Sequence, residues 1–278
     1  MGTVAGVRIL VTNDDGVGSP GIKALAAALH DDGHDVTVFA PTSDRSGAGA
    51  AIGKLYGEAP PPVVRADWPD LPGVPVHALD APPATAVLAA CLGAFGEPPD
   101  LVASGINPGQ NTGHLVLHSG TVGAALTASG LDVPGLSVSL QYSLEGEYRW
   151  ETAATFAARA VAWVATPDTG GRPRVLNVNV PNLPIHEVRG VREAELARHG
   201  EVWIAAADVS SGDLVLEFKG PGEAVPGTDV ALVRDGYVAV TPLDSVSRAV
   251  CPSGPGAAEV VDAARWRRTV PERSEAFG

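Results

Sequence analysis

Two neighbouring carboxylates, Asp14 and Asp15, follow Asn13 at the end of the apolar run Arg8-Ile9-Leu10-Val11-Thr12. Carboxylates this close repel unless a proton or a cation lies between them. The cation that suits them is a hard divalent ion, which takes oxygen ligands. The β-branched run reads as a buried strand, and the cluster Gly16-Val17-Gly18-Ser19-Pro20-Gly21 after it reads as a turn opening a helix. The pair therefore falls at the C-terminal edge of a sheet, where open α/β folds collect ligands. The same cluster fits G-x-G-x-x-G, the dinucleotide fingerprint. Against that reading, a pyrophosphate here would lie beside two negative charges, and the acid expected about 20 residues further on has only Asp44 as a late candidate. A capped helix start with no ligand is a third reading, because Asp and Asn commonly cap helices.

Similar polar clusters recur. The second apolar run, Asp35 to Pro41, is followed by the small, polar loop Thr42 to Ala50, in which Ser46 is a candidate oxygen ligand or phosphate contact, or a plain turn serine. Asp100 to Asn107 is another strand with a polar end, continued by the loop Pro108 to Gly113. Ser119, Gly120 and Thr121 open an apolar helix and offer backbone N–H groups to an anion, unless Ser119 and Thr121 simply cap it. In a parallel sheet all four clusters can face one rim. Two carboxylates, a hydroxyl and the Asn107 amide oxygen make an incomplete, all-oxygen shell that suits magnesium or manganese and disfavours zinc.

The elements that must position these residues alternate along the chain. Helices are expected over Gly21–His30, Pro82–Phe95, Ser119 to about Ala128 and Glu151–Ala165, and strands over Asp35–Pro41, Val74–Leu79, Asp100–Asn107, Val133–Leu140 and Arg174–Pro181. That recurrence predicts an α/β fold with a doubly wound, mainly parallel sheet. Lys54 to Leu79 is otherwise mixed and proline-rich. Beyond residue 181 the pattern changes: Val202-Trp203-Ile204 and Leu214 to Phe218 flank a Ser210-Ser211-Gly212-Asp213 turn as a β-hairpin, and Gly236 to Leu243 is a last strand. The expected organisation is one domain over residues 1–247, with a hairpin extension at about 190–235, and a C-terminal tail or arm over 248–278.

Composition narrows the function classes. A formal net charge of -13 argues against a binder of nucleic-acid polymers, which are gripped by basic patches. It leaves room for a small phosphorylated substrate, because a bound cation reverses the local field. Cys91 and Cys251 match no metal or redox spacing, and no apolar segment approaches the roughly 20 residues of a membrane helix. With no signal peptide before the first strand, the expected location is the cytoplasm.

Taken together these motifs resemble the stationary-phase survival protein SurE family of metal-dependent nucleotidases. The resemblance runs through Ile9 to Gly16, Ala40-Pro41, Arg45 to Ala48, Ser104 to Asn107, Gly109-Gln110-Asn111 and Ser119 to Val122. It continues through Asn177 to Pro181, Gly227-Thr228-Asp229 and Gly236 to Leu243. It implies that Asp14, Asp15, Ser46 and Asn107 hold a magnesium or manganese ion, that Asn111, Ser119, Gly120 and Thr121 contact phosphate, and that the chain forms a homodimer or homotetramer. It implies a Rossmann-like fold with a hairpin and oligomerisation extension at about 190–235, and hydrolysis of nucleoside monophosphates; such a site suits metal-assisted attack of water, with one of the Asp pair, Asp14 ahead of Asp15, a candidate acceptor of the water's proton. Several positions depart from the family pattern: Gly49-Ala50-Ala51-Ile52-Gly53 replaces a Ser/Asn-rich run, Ala81-Pro82-Pro83 replaces Gly-Thr-Pro, and His114 to His118 replaces an acid-and-tyrosine segment. His114 and His118 are candidates for protonating a leaving alkoxide or joining the phosphate clamp, or are ordinary loop residues. Arg45 either steers an anion or makes a salt bridge. Lost hydrogen-bonding groups redirect specificity, so a sugar phosphate or a nucleoside-like metabolite ester is an alternative substrate. A non-catalytic nucleotide-binding protein is the alternative from outside the enzymes.

Overall fold

The computed structural model describes residues 6–53, 60–166, 174–201, 203–210, 212–220, 222–244 and 246. Their elements, in chain order, are β1 (Arg8–Thr12), α1 (Pro20–Asp31), β2 (Asp35–Pro41), β3 (Val63–Ala66), β4 (Val76–Leu79), α2 (Pro83–Cys91) and β5 (Leu101–Pro108). There follow α3 (Gly120–Ser129), β6 (Gly135–Leu140), α4 (Trp150–Val164), β7 (Val175–Val180), β8 (Val191–Glu193), β9 (Trp203–Ser210), β10 (Asp213–Lys219), α5 (Asp229–Arg234) and β11 (Val238–Leu243). The chain divides at residue 245 into two compact units, and the fold described is that of the first. The tail expected over 248–278 lies outside the described residues.

Among the described residues the strands form a nine-stranded sheet in the order β3-β4-β2-β1-β5-β6-β7-β11-β8, plus the two-stranded hairpin β9-β10. The six central strands, β4 through β7, pair in parallel, while β3 and β11 run antiparallel to their inner neighbours β4 and β7. Alternation along each strand assigns its two faces. Ile9 and Val11 enter the core shared with α1 and α4, whereas Leu10 enters the one shared with α2 and α3. Both faces are covered, which is why the central strands read as continuous apolar runs. α1 keeps Ile22, Leu25, Ala26 and Leu29 buried at helical spacing.

From β1 the chain winds outward to β2 and β4, then returns to β5 on the other side of β1. The topological switch point is therefore between β1 and β5, whose C-terminal ends carry Asp14 and Asn107. Close approach fixes two glycines here. A Cβ on Gly21 would fall 1.9 Å from the Ile106 carbonyl oxygen, so this third glycine of the G-x-G-x-x-G pattern lets α1 pack on β5. One on Gly105, which has φ +134°, would fall 2.3 Å from the Val138 carbonyl oxygen. The β5–β6 register shifts between Ser104 and Asn107.

The structure departs from the sequence expectations in detail. α2 ends at Cys91 rather than Phe95, because Leu92 closes the helix onto Leu88 and Gly93 follows with φ +89°. The edge strands β3 and β8 were not expected; their residues are mostly exposed and carry no apolar alternation. α5 was not expected either, being six residues long and started by the Thr228 cap.

Candidate active site

The site is built where β1 gives way to a loop folded back on itself. Asn13 is fully buried and its amide donates to the Gly16 carbonyl at 3.1 Å and to the Ser19 hydroxyl at 2.8 Å. Gly16 accommodates the bend with φ +96°. This leaves Asp14 almost wholly buried, at 3% exposure. Its Oδ1 accepts from the Thr121 hydroxyl at 2.5 Å and its Oδ2 from the Gly120 N–H at 3.1 Å. Thr121 Oγ1 also lies 3.4 Å from Asn107 Oδ1. The Thr121 hydroxyl and the Gly120 N–H therefore tie the end of β1 to the start of α3, with the end of β5 alongside. Gly120 makes the approach feasible, since a Cβ there would fall 2.7 Å from both Asp14 Cβ and Oδ2.

The N-terminus of α3 thus already faces a negative group, Asp14, which its dipole favours. The Ser119 hydroxyl accepts from Val122 N–H at 3.1 Å, so it serves as the helix cap, the plainer of the two roles expected of it. Burial raises the Asp14 carboxyl above the ordinary carboxylate range, and the bonds from Thr121 and Gly120 offset part of that rise.

Asp15 stands differently. Its Oδ2 is buried and has no hydrogen-bond partner. Burial, then the charges of Asp14 and Asp44, push its carboxyl up to about 7. A buried carboxylate oxygen without a donor is costly and calls for a proton or a cation. Asp44 is a neighbour that sequence reasoning weighed only as a ribose acid. It accepts from the Ser46 hydroxyl at 2.6 Å and N–H at 2.7 Å, which hold its carboxyl below the usual range. Because Ser46 donates its proton to Asp44, its oxygen lone pairs stay available as acceptors. The Asn107 amide nitrogen donates to the Gly109 carbonyl at 2.7 Å, which leaves Oδ1 on the Thr121 side.

The donor set fits a hard divalent ion. It offers two carboxylates, an amide oxygen and a hydroxyl, one carboxylate oxygen being orphaned. Among the described residues no group of three or more His, Cys, Asp or Glu side chains converges, so a nitrogen- or sulfur-rich zinc centre is not what they form.

Asn111 does not join the hydrogen bonds around Asp14. It is clamped from β7 instead: its N–H donates to Asn179 Oδ1 at 2.8 Å, and its carbonyl accepts from Asn177 at 2.8 Å and Asn179 at 3.0 Å. Its side-chain amide donates to the Ser139 hydroxyl at 2.8 Å. Asn177 and Asn179 are both fully buried. Sequence reasoning gave them no role, although two asparagines facing one way in an otherwise apolar central strand are the visible signal. Arg45 pairs with Asp80, the salt-bridge alternative. His114 and His118 are exposed, and the His118 carbonyl accepts from Gly49 N–H at 3.1 Å, joining the Ser46 loop to the start of α3.

These features define a doubly wound α/β protein with a buried pair of neighbouring carboxylates at its switch point, beside a helix start that holds one of the two. The family model "Survival protein SurE" matches residues 9–202, and the chain belongs to the SurE family. It is 37% identical over 242 residues to the 5'/3'-nucleotidase SurE of Photorhabdus laumondii, covering 85% of this chain and 89% of that one. It is 38% identical over 243 residues to the 5'-nucleotidase SurE of Stenotrophomonas maltophilia, with the same coverage. The crystal structure of the SurE protein from Aquifex aeolicus superposes with a TM-score of 0.70 at 29% identity, covering 94% of this chain and 99% of that one. The α/β fold expected from the sequence, with its mainly parallel sheet and separate hairpin, is the one observed.

Proposed function

We propose that this chain is a metal-dependent 5'/3'-nucleotidase that hydrolyses nucleoside monophosphates to nucleoside and phosphate. The observation that carries the reading is the carboxylate pair: Asp14 fixed by Gly120 and Thr121, and Asp15 beside it with a buried, unpartnered oxygen. The nucleotidase names of relatives at 37–38% identity support the substrate class. Asp14, Asp15, Ser46 and Asn107 are the residues that would hold a magnesium or manganese ion. When bound, such an ion polarises a phosphoryl oxygen, lowers the pKa of water and offsets charge in the transition state.

The chain's own residues supply position. Thr121 and Gly120 keep Asp14 from rotating, and Asn107 Oδ1 lies 3.4 Å from the same Thr121 hydroxyl. Asn111, with both backbone groups clamped, presents its loop to the phosphate beside Ser119, Gly120 and Thr121. Because the Gly120 N–H and the Thr121 hydroxyl already donate to Asp14, the Ser119 hydroxyl, which accepts in its cap bond, is the donor this helix start offers a phosphate.

Phosphate release measured across nucleoside monophosphates, sugar phosphates and an aryl phosphate, with manganese or magnesium, ranks the substrates. The nucleoside monophosphates are expected to lead. A sugar phosphate at the head of the ranking would replace the nucleotidase with a metabolite phosphatase, and no release from any ester would leave a binding protein.

A further inference from the structure

The loop from Asn111 to Ser119 connects two of the proposed phosphate contacts through a 3-10 turn, Gly113–Leu117. Nothing in β5 or α3 fixes the near end of that turn. A carboxylate more than a hundred residues away does. Asp229 is fully buried, and its Oδ2 accepts from Gly113 N–H at 2.7 Å. Its Oδ1 accepts from Ala197 N–H at 3.0 Å and Val230 N–H at 2.9 Å. The Asp229 N–H in turn donates to the Glu195 carbonyl at 2.9 Å. One side chain therefore gathers the 113–117 turn, the 194–200 segment and the start of α5.

Two glycines bring the surfaces together. Gly113 has φ +59°, and a Cβ there would fall 2.7 Å from the Ala197 carbonyl oxygen. A Cβ on Gly200 would fall 2.7 Å from Leu115 Cδ1 and 2.8 Å from the Thr112 carbonyl oxygen. At the far end of the turn, Gly49 N–H holds the His118 carbonyl at 3.1 Å, one residue before Ser119. The span between Asn111 and Ser119 is thus fixed at Asn111 by β7, at Gly113 by Asp229 and at His118 by Gly49.

We propose that Asp229 is a positioning residue, holding the 113–117 turn so that Asn111 and Ser119 grip the substrate's phosphate at a set spacing; this rests on the hydrolase reading above. Asp229 touches no reacting atom. Its effect passes through the Gly113 N–H, and misplacement of a binding group by about 1 Å costs on the order of 100-fold in rate.

The test compares Asp229→Ala, Asp229→Asn and Thr228→Ala in the full chain. Thr228→Ala removes the cap of α5 without touching Gly113, so it reports a purely structural loss. Each variant is assayed, at a temperature where it is folded, for kcat and KM on a nucleoside monophosphate. Titration calorimetry of manganese, and of inorganic phosphate onto the manganese-loaded protein, gives a readout besides turnover. Asp229→Ala is expected to lower kcat and phosphate affinity by about tenfold or more with manganese affinity unchanged. Asp229→Asn, which keeps one acceptor oxygen, falls between it and wild type, and Thr228→Ala loses thermal stability only. Equal kcat and phosphate affinity in Asp229→Ala and Thr228→Ala would overturn the proposal, as would a loss in manganese affinity alone. If Asp229→Ala fails to fold, the ordering of Asp229→Asn against Thr228→Ala decides. A wild type that binds phosphate but hydrolyses no ester overturns the hydrolase reading, and the phosphate affinities still judge Asp229. One that does neither overturns both.

Discussion

Replacing Asp15 with Asn stabilises the metal-free protein and removes its response to divalent ions. The Asp15 carboxyl is pushed from 3.8 to about 7 in the folded chain. Between those two values the folded protein keeps a proton that the unfolded chain has released. Stability therefore falls as pH rises through that window and levels off above it. Roughly three pKa units at 1.36 kcal/mol each set an upper bound of about 4 kcal/mol on the penalty. Asp15 retains some contact with water, which screens its charge and leaves about 2 kcal/mol as the working figure. In a domain of this size that corresponds to a shift in Tm of about 4–8 °C. The assay is thermal unfolding from pH 4.5 to 8.5, with chelator and with manganese, on wild type and Asp15→Asn. Wild type in chelator loses Tm as pH rises and regains it with manganese. Asp15→Asn has a higher Tm than wild type at pH 8 in chelator, a shallower slope whose remainder comes from Asp14 and Asp229, both raised by burial, and no manganese response. A mutant less stable than wild type at pH 8 in chelator, with the same slope, would refute the reasoning.

Three further outcomes are expected. Gly120→Ala drives a Cβ into Asp14, at 2.7 Å from its Cβ and Oδ2, so overpacking costs about 1–3 kcal/mol and phosphate release falls by about 100-fold, read by unfolding and by steady-state assay. Asn179→Ala leaves the Asn111 N–H without its acceptor and costs about 1–3 kcal/mol in denaturant unfolding, with a lower kcat on the same substrate. His118→Ala leaves turnover of a nucleoside monophosphate within about twofold, because the side chain is exposed and the bond to Gly49 N–H is made by the carbonyl; a loss of about 100-fold on the nucleotide that spares an aryl phosphate would return His118 to leaving-group chemistry.

Much of the fold was legible because β1, β2, β5, β6 and β7 are buried on both faces and so carry strong apolar runs, with turn residues between them. β3 and β8 were hidden because exposed edge strands need no such pattern. The Asp14-Asp15 pair could be read from adjacency and its place after β1. The role of Gly120 could not, because its reason is an approach of 2.7 Å to a side chain 106 positions earlier. Asn177, Asn179 and Asp229 were visible as polar residues in apolar surroundings, but their partners, Asn111 and Gly113, are set by tertiary contact alone. Asp44 was noticed for a chemistry that the neighbouring carboxylates oppose, and its bond to Ser46 emerges only once the loop after β2 is folded.

The most direct test of the carboxylate pair as the centre of a metal-dependent phosphomonoesterase is phosphate release from a nucleoside monophosphate by wild type, Asp14→Asn and Asp15→Asn, at saturating manganese and in chelator. Release by wild type that needs the metal and disappears in both variants is the expected result. Full turnover by Asp14→Asn at saturating manganese, or release by wild type that persists in chelator, would contradict the account.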